Sequence, residues 1–160
     1  MMIVQLFVLL LLSFHLPVYL MTITPLTGLK DYVAEIKGVS VERITEEQFN
    51  QIHQALLKYK VVVVRDQGDL SIEGQRNFTK RFGRLHIHLE SSSHLPGYQD
   101  VNVVSNMKVN GSHIGLFGKH VENFHADLSW HSLPAKITVL KSVIRPDQCG
   151  DTEFTNTIAA

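Results

Sequence analysis

The sequence has only one cysteine and no excess of either charge. Cys149 has no partner within the 160 residues, so a disulfide framework and a cysteine-based zinc finger are both excluded. The 15 Lys and Arg residues balance the 15 Asp and Glu residues, which argues against binding to nucleic acid and against a polybasic membrane-surface protein. With 44% hydrophobic and 19% charged residues, the composition is typical of one globular domain.

Long hydrophobic runs are also scarce, and the one present lies at the N-terminus. Between residues 3 and 12 only Gln5 is polar, which suits a signal-peptide core or a marginal membrane span. No basic residue precedes this run and no small-residue cleavage site follows it, so an over-extended translation start before Met21 is a third interpretation. We expect residues 1–20 to be an extension outside the fold and residues 21–160 to form the domain. A start at Met21 implies a cytoplasmic protein, whereas a retained extension implies membrane anchoring or export.

Histidine, by contrast, is abundant and clustered. Seven of the nine histidines lie between His86 and His131. Because imidazole is the commonest metal ligand in proteins, this clustering directs attention to a metal site.

The first half of the chain predicts two helices and two strands. Residues 32–39 partly alternate in polarity and predict a short strand. Thr45 begins a capping-box pattern before a helix at 46–59. The four valines at 61–64 predict a buried strand, and a second helix is expected at 72–82, burying its aromatic residues.

The second half predicts mainly strands and a long loop. Strands are expected at 101–104 and 136–143, the latter with residues 137, 139 and 141 on one side. The glycine-containing segment 106–123 between them is expected to be a loop. Together these elements predict an α+β fold in which the strands carry the functional residues.

The segment FHADLSW at residues 124–130 contains the most informative pattern. If it is extended, His125 and Asp127 project from one face, about 6.5 Å apart along the strand. An imidazole and a carboxylate so placed supply two positions of a 2-His-1-carboxylate triad, which favours non-haem Fe(II). The alternative for so short a pattern is a surface histidine beside a solvated aspartate.

The surroundings of this pattern resemble the taurine dioxygenase/TfdA family of Fe(II)- and 2-oxoglutarate-dependent dioxygenases. The family motif W-H-x-D-x-[ST]-F is followed by a proline, a strand and G-G-D-T-x-F. Phe124 and Cys149 replace a tryptophan and a glycine of that motif, whereas GDTEF at 150–154 matches it. The 27 positions from His125 to Thr152 agree with the family spacing, and the resemblance extends over about residues 21–160.

The resemblance implies a fold, a set of cofactors and four site residues. The fold is a double-stranded β-helix, the clavaminate synthase-like jelly roll, with flanking N-terminal helices. His125 and Asp127 match the iron ligands, Thr152 matches the donor to 2-oxoglutarate, and His88 matches a substrate-contacting position. Fe(II), 2-oxoglutarate and O₂ would then hydroxylate a small organic substrate, often anionic in this family, with release of succinate and CO₂.

Two further features of the family lie downstream in its members: a third ligand, histidine, and an arginine that pairs with 2-oxoglutarate. Neither has a place before Ala160, so we expect a partial, incomplete jelly roll with impaired activity. A truncated, inactive fragment of such an enzyme is therefore an alternative function. A zinc hydrolase using His125, Asp127 and His131 is another, and self-association into a homo-oligomer stays open.

Overall fold

The computed structural model of the chain describes residues 20–26, 32–87, 93–117, 123–145, 147–148 and 150–158. Residues 1–19 of the expected extension, together with His88 and Cys149, lie outside the described residues. Within the described ranges, no helix has the length and apolar character needed to cross a bilayer.

Nine short strands and two α-helices make up the regular structure of these described ranges. In chain order the elements are β1 (Thr22–Pro25), β2 (Val33–Lys37), a 3₁₀ turn (Val41–Arg43), α1 (Glu46–Tyr59), β3 (Val61–Val64), α2 (Ile72–Lys80), β4 (His94–Leu95), β5 (Tyr98–Asn102), β6 (Val104–Ser105), β7 (Lys108–Val109), β8 (Ser112–His113) and β9 (Leu116–Phe117).

The largest sheet has three strands in the order β1-β2-β3. Strand β2 pairs antiparallel with β1 and parallel with β3, and α1 forms the connection between the two parallel strands. Ala34 and Ile36 of β2 share one face and are fully buried, as expected for a central strand covered by a helix. The strand predicted within 32–39 is confirmed.

Helix α1 begins and ends where its sequence pattern predicts. Thr45 Oγ1 accepts a hydrogen bond from the Gln48 N–H at 3.2 Å, and Gln48 Oε1 accepts one from the Thr45 N–H at 3.1 Å. This reciprocal pair satisfies two N–H groups that the helix itself cannot satisfy. Phe49, Ile52 and Tyr59 recur on one buried face, which packs into the core together with the sheet.

The valines of β3 differ from the prediction of a buried strand. All four are only half-buried. The reason is position, because β3 lies at the edge of its sheet and β2 is its one neighbour in the described sheet. A run of valines predicts a strand but does not show how many sides of it are covered.

Helix α2 is two residues shorter at its end than the sequence predicted. It begins after Ser71, whose Oγ accepts the Gly74 N–H at 2.9 Å. At the end, the N–H groups of residues 81–83 bond to carbonyls three positions back, which tightens the last turn into 3₁₀ geometry. Phe78 is buried as expected, whereas Phe82 is only half-buried, with its ring 4.8 Å from that of Phe49.

The segment 106–123 is not the plain loop that its glycines predicted. Strands β7 and β8 form a hairpin around Asn110 and Gly111, whose φ angles are +51° and +82°. Two positive φ values are what a two-residue hairpin turn of the primed type requires, and Asn-Gly is its preferred sequence. The Asn-Gly pair was therefore the missed signal. Further along, β9 pairs in parallel with β6.

The strand predicted at 136–143 is not formed. Burial does alternate as predicted, with residues 137, 139 and 141 half-buried and the intervening ones exposed. However, no strand in the described part of the chain pairs with this segment, and a β-ladder requires a partner. Val139 packs against the core, and Lys141 donates from Nζ to the carbonyl oxygen of Leu70.

A two-point ion pair joins α2 to β5. Arg76 donates from Nε to Asp100 Oδ1 and from Nη2 to Oδ2, both at 2.9 Å. The side chain of Asp100 is only 11% exposed. The hydrogen bonds from Arg76 hold the pKa of the Asp100 carboxyl below its ordinary value of 3.8.

Stability is expected to depend on Asp100 in acid. A carboxyl with a lowered pKa in the folded state stabilises the fold above its ordinary pKa, and this contribution is lost as pH falls through the lowered value. Between about pH 6 and pH 3 the unfolding temperature of the wild type should therefore fall further than that of Asp100→Asn, by a few degrees. Thermal unfolding across this range checks the expectation, and parallel curves for the two proteins would contradict it.

Candidate functional site

The candidate site lies in the segment 123–145, after β9. His125 Nε2 and Asp127 Oδ1 are 3.3 Å apart, and about half of each side chain is exposed. The structure thus brings together the two side chains that the sequence singled out. The two atoms are close enough to contact one ion that enters from solvent.

The backbone that carries this pair is not extended, which was the condition under which the sequence pattern places both side chains on one face. Residues 127–130 form a turn, in which the Ser129 N–H bonds to the Ala126 carbonyl at 3.2 Å and Leu128 has a φ of +54°. The reason for the difference is again a missing strand pairing, because no described strand lies beside residues 124–130. The convergence of the His125 and Asp127 side chains survives the change in backbone.

The imidazole of His125 is oriented by the backbone. Its Nδ1 lies 2.8 Å from the carbonyl oxygen of Asn123. A carbonyl oxygen only accepts hydrogen bonds, so Nδ1 carries the proton in this arrangement. In a neutral ring this leaves the lone pair on Nε2, the atom that faces Asp127, as metal ligation requires.

The carboxylate of Asp127 is held from its other side. Oδ2 accepts a hydrogen bond from Thr138 Oγ1 at 2.5 Å, while Oδ1 faces His125. The two carboxylate oxygens therefore have different environments. Thr138 was missed in the sequence because its partner lies eleven positions earlier in the chain, and no local pattern connects the two.

The donor set fits a metal ion such as iron. Metal–nitrogen and metal–oxygen bonds of about 2.1 Å place adjacent ligands of an octahedral ion about 3 Å apart. The observed 3.3 Å between His125 Nε2 and Asp127 Oδ1 is close to that spacing. Within the described residues, no group of three or more His, Cys, Asp or Glu side chains is placed to hold an ion. The pair would fill two of the three positions of a 2-His-1-carboxylate triad.

His131, the third ligand of the zinc alternative, has other neighbours. Its ring centroid lies 5.6 Å from that of His86 and 5.7 Å from that of Trp130. Its Nδ1 is 3.1 Å from the Leu133 N–H. In the described structure it is thus grouped with aromatic rings rather than with His125 and Asp127.

Thr152 and His88 stand apart from this pair. Thr152 is exposed and lies in a stretch, residues 150–156, without regular secondary structure. The stretch is tied to the sheet end through Tyr32, whose hydroxyl donates to the Phe154 carbonyl at 3.1 Å. His88 lies outside the described residues, so its predicted substrate contact stays a prediction.

Comparison with known proteins gives a consistent set of relatives. Residues 22–160 match the sequence model of the family described as "Taurine catabolism dioxygenase TauD, TfdA family". An alpha-ketoglutarate-dependent sulfate ester dioxygenase from Pseudomonas putida is 29% identical over 128 residues, 79% of this chain and 39% of that protein. An alpha-ketoglutarate-dependent sulfonate dioxygenase from Saccharomyces cerevisiae is 27% identical over 142 residues, 86% of this chain and 33% of that protein.

A solved structure also resembles the chain. It is a putative alpha-ketoglutarate-dependent taurine dioxygenase from Burkholderia xenovorans, 31% identical, with a TM-score of 0.48 over 56% of this chain and 31% of that one. The chain thus spans between a third and two fifths of the length of the curated relatives described above.

Proposed function

We propose, because the chain belongs to the taurine catabolism dioxygenase (TauD, TfdA) family, that it carries part of the active site of an Fe(II)- and 2-oxoglutarate-dependent dioxygenase. The observation that carries this proposal is the 3.3 Å approach of His125 Nε2 to Asp127 Oδ1. That approach supports a role for both side chains as ligands of one iron ion.

Each proposed site residue has a distinct task. His125 and Asp127 hold the iron, with the Asn123 carbonyl fixing the tautomer that leaves Nε2 as the ligand atom. The hydroxyl of Thr152 donates a hydrogen bond to a carboxylate oxygen of 2-oxoglutarate. His88 contacts the substrate.

Bound Fe(II), with 2-oxoglutarate and O₂, supplies oxidative decarboxylation of the cosubstrate to succinate and CO₂ together with hydroxylation of a substrate C–H bond. The chain's own residues would bind the iron and orient the cosubstrate and the substrate. His125 and Asp127 are both half-exposed, so the site of the whole enzyme needs further cover to exclude water.

The proposed architecture supplies that cover. We take residues 21–160 as part of a jelly roll whose other strands pack on the apolar side chains around the site. Large apolar side chains there are strongly exposed, namely Phe124, Trp130, Leu133, Leu140, Val143 and Ile144. So many exposed apolar side chains in one segment are unusual for a finished surface and support packing by further structure.

The proposed substrate is a small organic anion of the sulfate ester or sulfonate class. This class follows from the names of the relatives, a sulfate ester dioxygenase and a sulfonate dioxygenase.

The proposed location is the cytoplasm, with a membrane or exported location only if residues 1–20 act as an anchor or signal.

The proposal is tested by anaerobic titration of the full chain with Fe(II) and 2-oxoglutarate. A visible metal-to-ligand charge-transfer band is expected when both are present and not when 2-oxoglutarate is omitted. Thr152→Val should keep the band but need about 10-fold more 2-oxoglutarate, because a hydrogen bond to a charged group is lost. No band with the wild-type chain would contradict the proposal and favour the inactive-fragment alternative.

A further inference from the structure

Thr138 lies outside the family motif that identified the site, yet it touches the proposed iron ligand. We propose that Thr138 is a positioning residue, which orients the Asp127 carboxylate so that Oδ1 is presented to the metal. This inference rests on the proposed function, since it concerns the same ion.

The two carboxylate oxygens of Asp127 have different partners. Thr138 Oγ1 donates to Asp127 Oδ2 at 2.5 Å, a length typical of a hydroxyl bonded to a charged carboxylate. Oδ1 remains on the side of His125 Nε2, at 3.3 Å. With the hydroxyl in place, rotation of the carboxylate away from His125 breaks a charge-assisted hydrogen bond.

The position of Thr138 is set by the core and not by the site. Its neighbour Val139 packs against the buried cluster, and the Val139 carbonyl lies 3.5 Å from Gln75 Nε2 of α2. Lys141, two residues further on, donates to the Leu70 carbonyl oxygen. Burial alternates along this segment, so residues 139 and 141 face the core while Thr138 is exposed, where its hydroxyl meets Asp127.

The chemistry of a hydroxyl suits this role. It donates one hydrogen bond without adding positive charge, so Asp127 keeps the net negative charge that attracts a cation. A lysine or arginine in the same place would offset the carboxylate charge that binds the metal. The β-branch of threonine also restricts χ1, which limits the directions in which Oγ1 can point.

The test is a titration of the full, metal-free chain with Mn(II), in which free Mn(II) is followed by its electron paramagnetic resonance signal. Thr138→Val keeps the shape and removes the hydroxyl, and it should weaken Mn(II) binding by about 10-fold. Thr138→Ser keeps the hydroxyl and should restore binding to near the wild-type level. Thr157→Val, at another exposed threonine, is the matched control and should bind like the wild type.

The outcomes separate this inference from the function on which it rests. Equal Mn(II) affinity for the wild type and Thr138→Val overturns the positioning role and leaves the proposed function standing. A wild-type chain that binds no Mn(II) overturns the metal site and the positioning role together. Thermal unfolding of the metal-free variants is run in parallel. An affinity loss accompanied by an equal loss in Thr138→Ser, or by a lowered unfolding temperature, would show a structural effect and also overturn the inference.

Discussion

Replacement of Asp127 by alanine is expected to weaken binding of Fe(II) to the chain by more than about 100-fold. Loss of a residue that only orients a ligand typically costs 10- to 100-fold in metal affinity, and Asp127 is a proposed ligand itself. Its carboxylate also contacts His125 in the structure. Its removal therefore takes away both a donor atom and the negative charge that attracts the ion.

Anaerobic calorimetric titration of the full chain with Fe(II) measures this effect. Asp127→Asn is the informative companion, because it keeps an oxygen that can accept from Thr138 but loses the charge. Its affinity should fall between those of the wild type and Asp127→Ala. Asp147→Ala removes another exposed carboxylate and should leave the affinity unchanged. Equal losses in Asp127→Ala and Asp147→Ala would show that Fe(II) binds by general charge attraction and not at the His125–Asp127 pair.

Replacement of Ile52 by alanine is expected to lower the free energy of unfolding by about 2–5 kcal/mol. Ile52 is only 1% exposed, and it belongs to the buried cluster to which α1, the three-stranded sheet and α2 all contribute. The loss comprises the transfer free energy of the deleted methyl and methylene groups and the cavity left in their place. Since domains are typically stable by about 5–15 kcal/mol, this one change removes a large share.

Urea unfolding measures this change as a shift in the midpoint concentration, provided that the dependence of the unfolding free energy on urea is the same in the wild type and the variant. Leu57→Ala is the matched control, because Leu57 lies on the same helix but is 51% exposed. Its loss should stay within about 0.5 kcal/mol. Similar losses for the two variants would mean that α1 does not pack on the sheet through Ile52.

Helix α1 shows how far local sequence signals reach. Its start depends on Thr45 and Gln48, three residues apart, and its buried face on apolar residues within two or three turns. Both signals act over short distances, so the predicted bounds agree with the structure. The Asn110-Gly111 turn is equally local, and its hairpin was open to prediction from the sequence.

Elements that need a distant partner were predicted less well. The alternation at 136–143 appears in the burial of its side chains, but no strand among the described residues pairs with it, so it forms no ladder. The valines of β3 are half-buried since, in the described ranges, one strand alone lies beside them. In each case the chain segment carries the propensity, and its surroundings decide the outcome.

The sequence by itself determined the family of this protein and the identity of its proposed ligand pair, because the motif around His125 and Asp127 is a matter of residue types and spacing. It also determined the bounds of α1, whose cap and apolar spacing are local signals. Only the tertiary structure decided that the pair meets on a turn, and that Thr138 bonds the second oxygen of Asp127. Thr138 lies eleven residues after Asp127, in a segment that packs on the core through Val139. The relative positions of two such segments are set by the packing of the whole fold and not by local sequence.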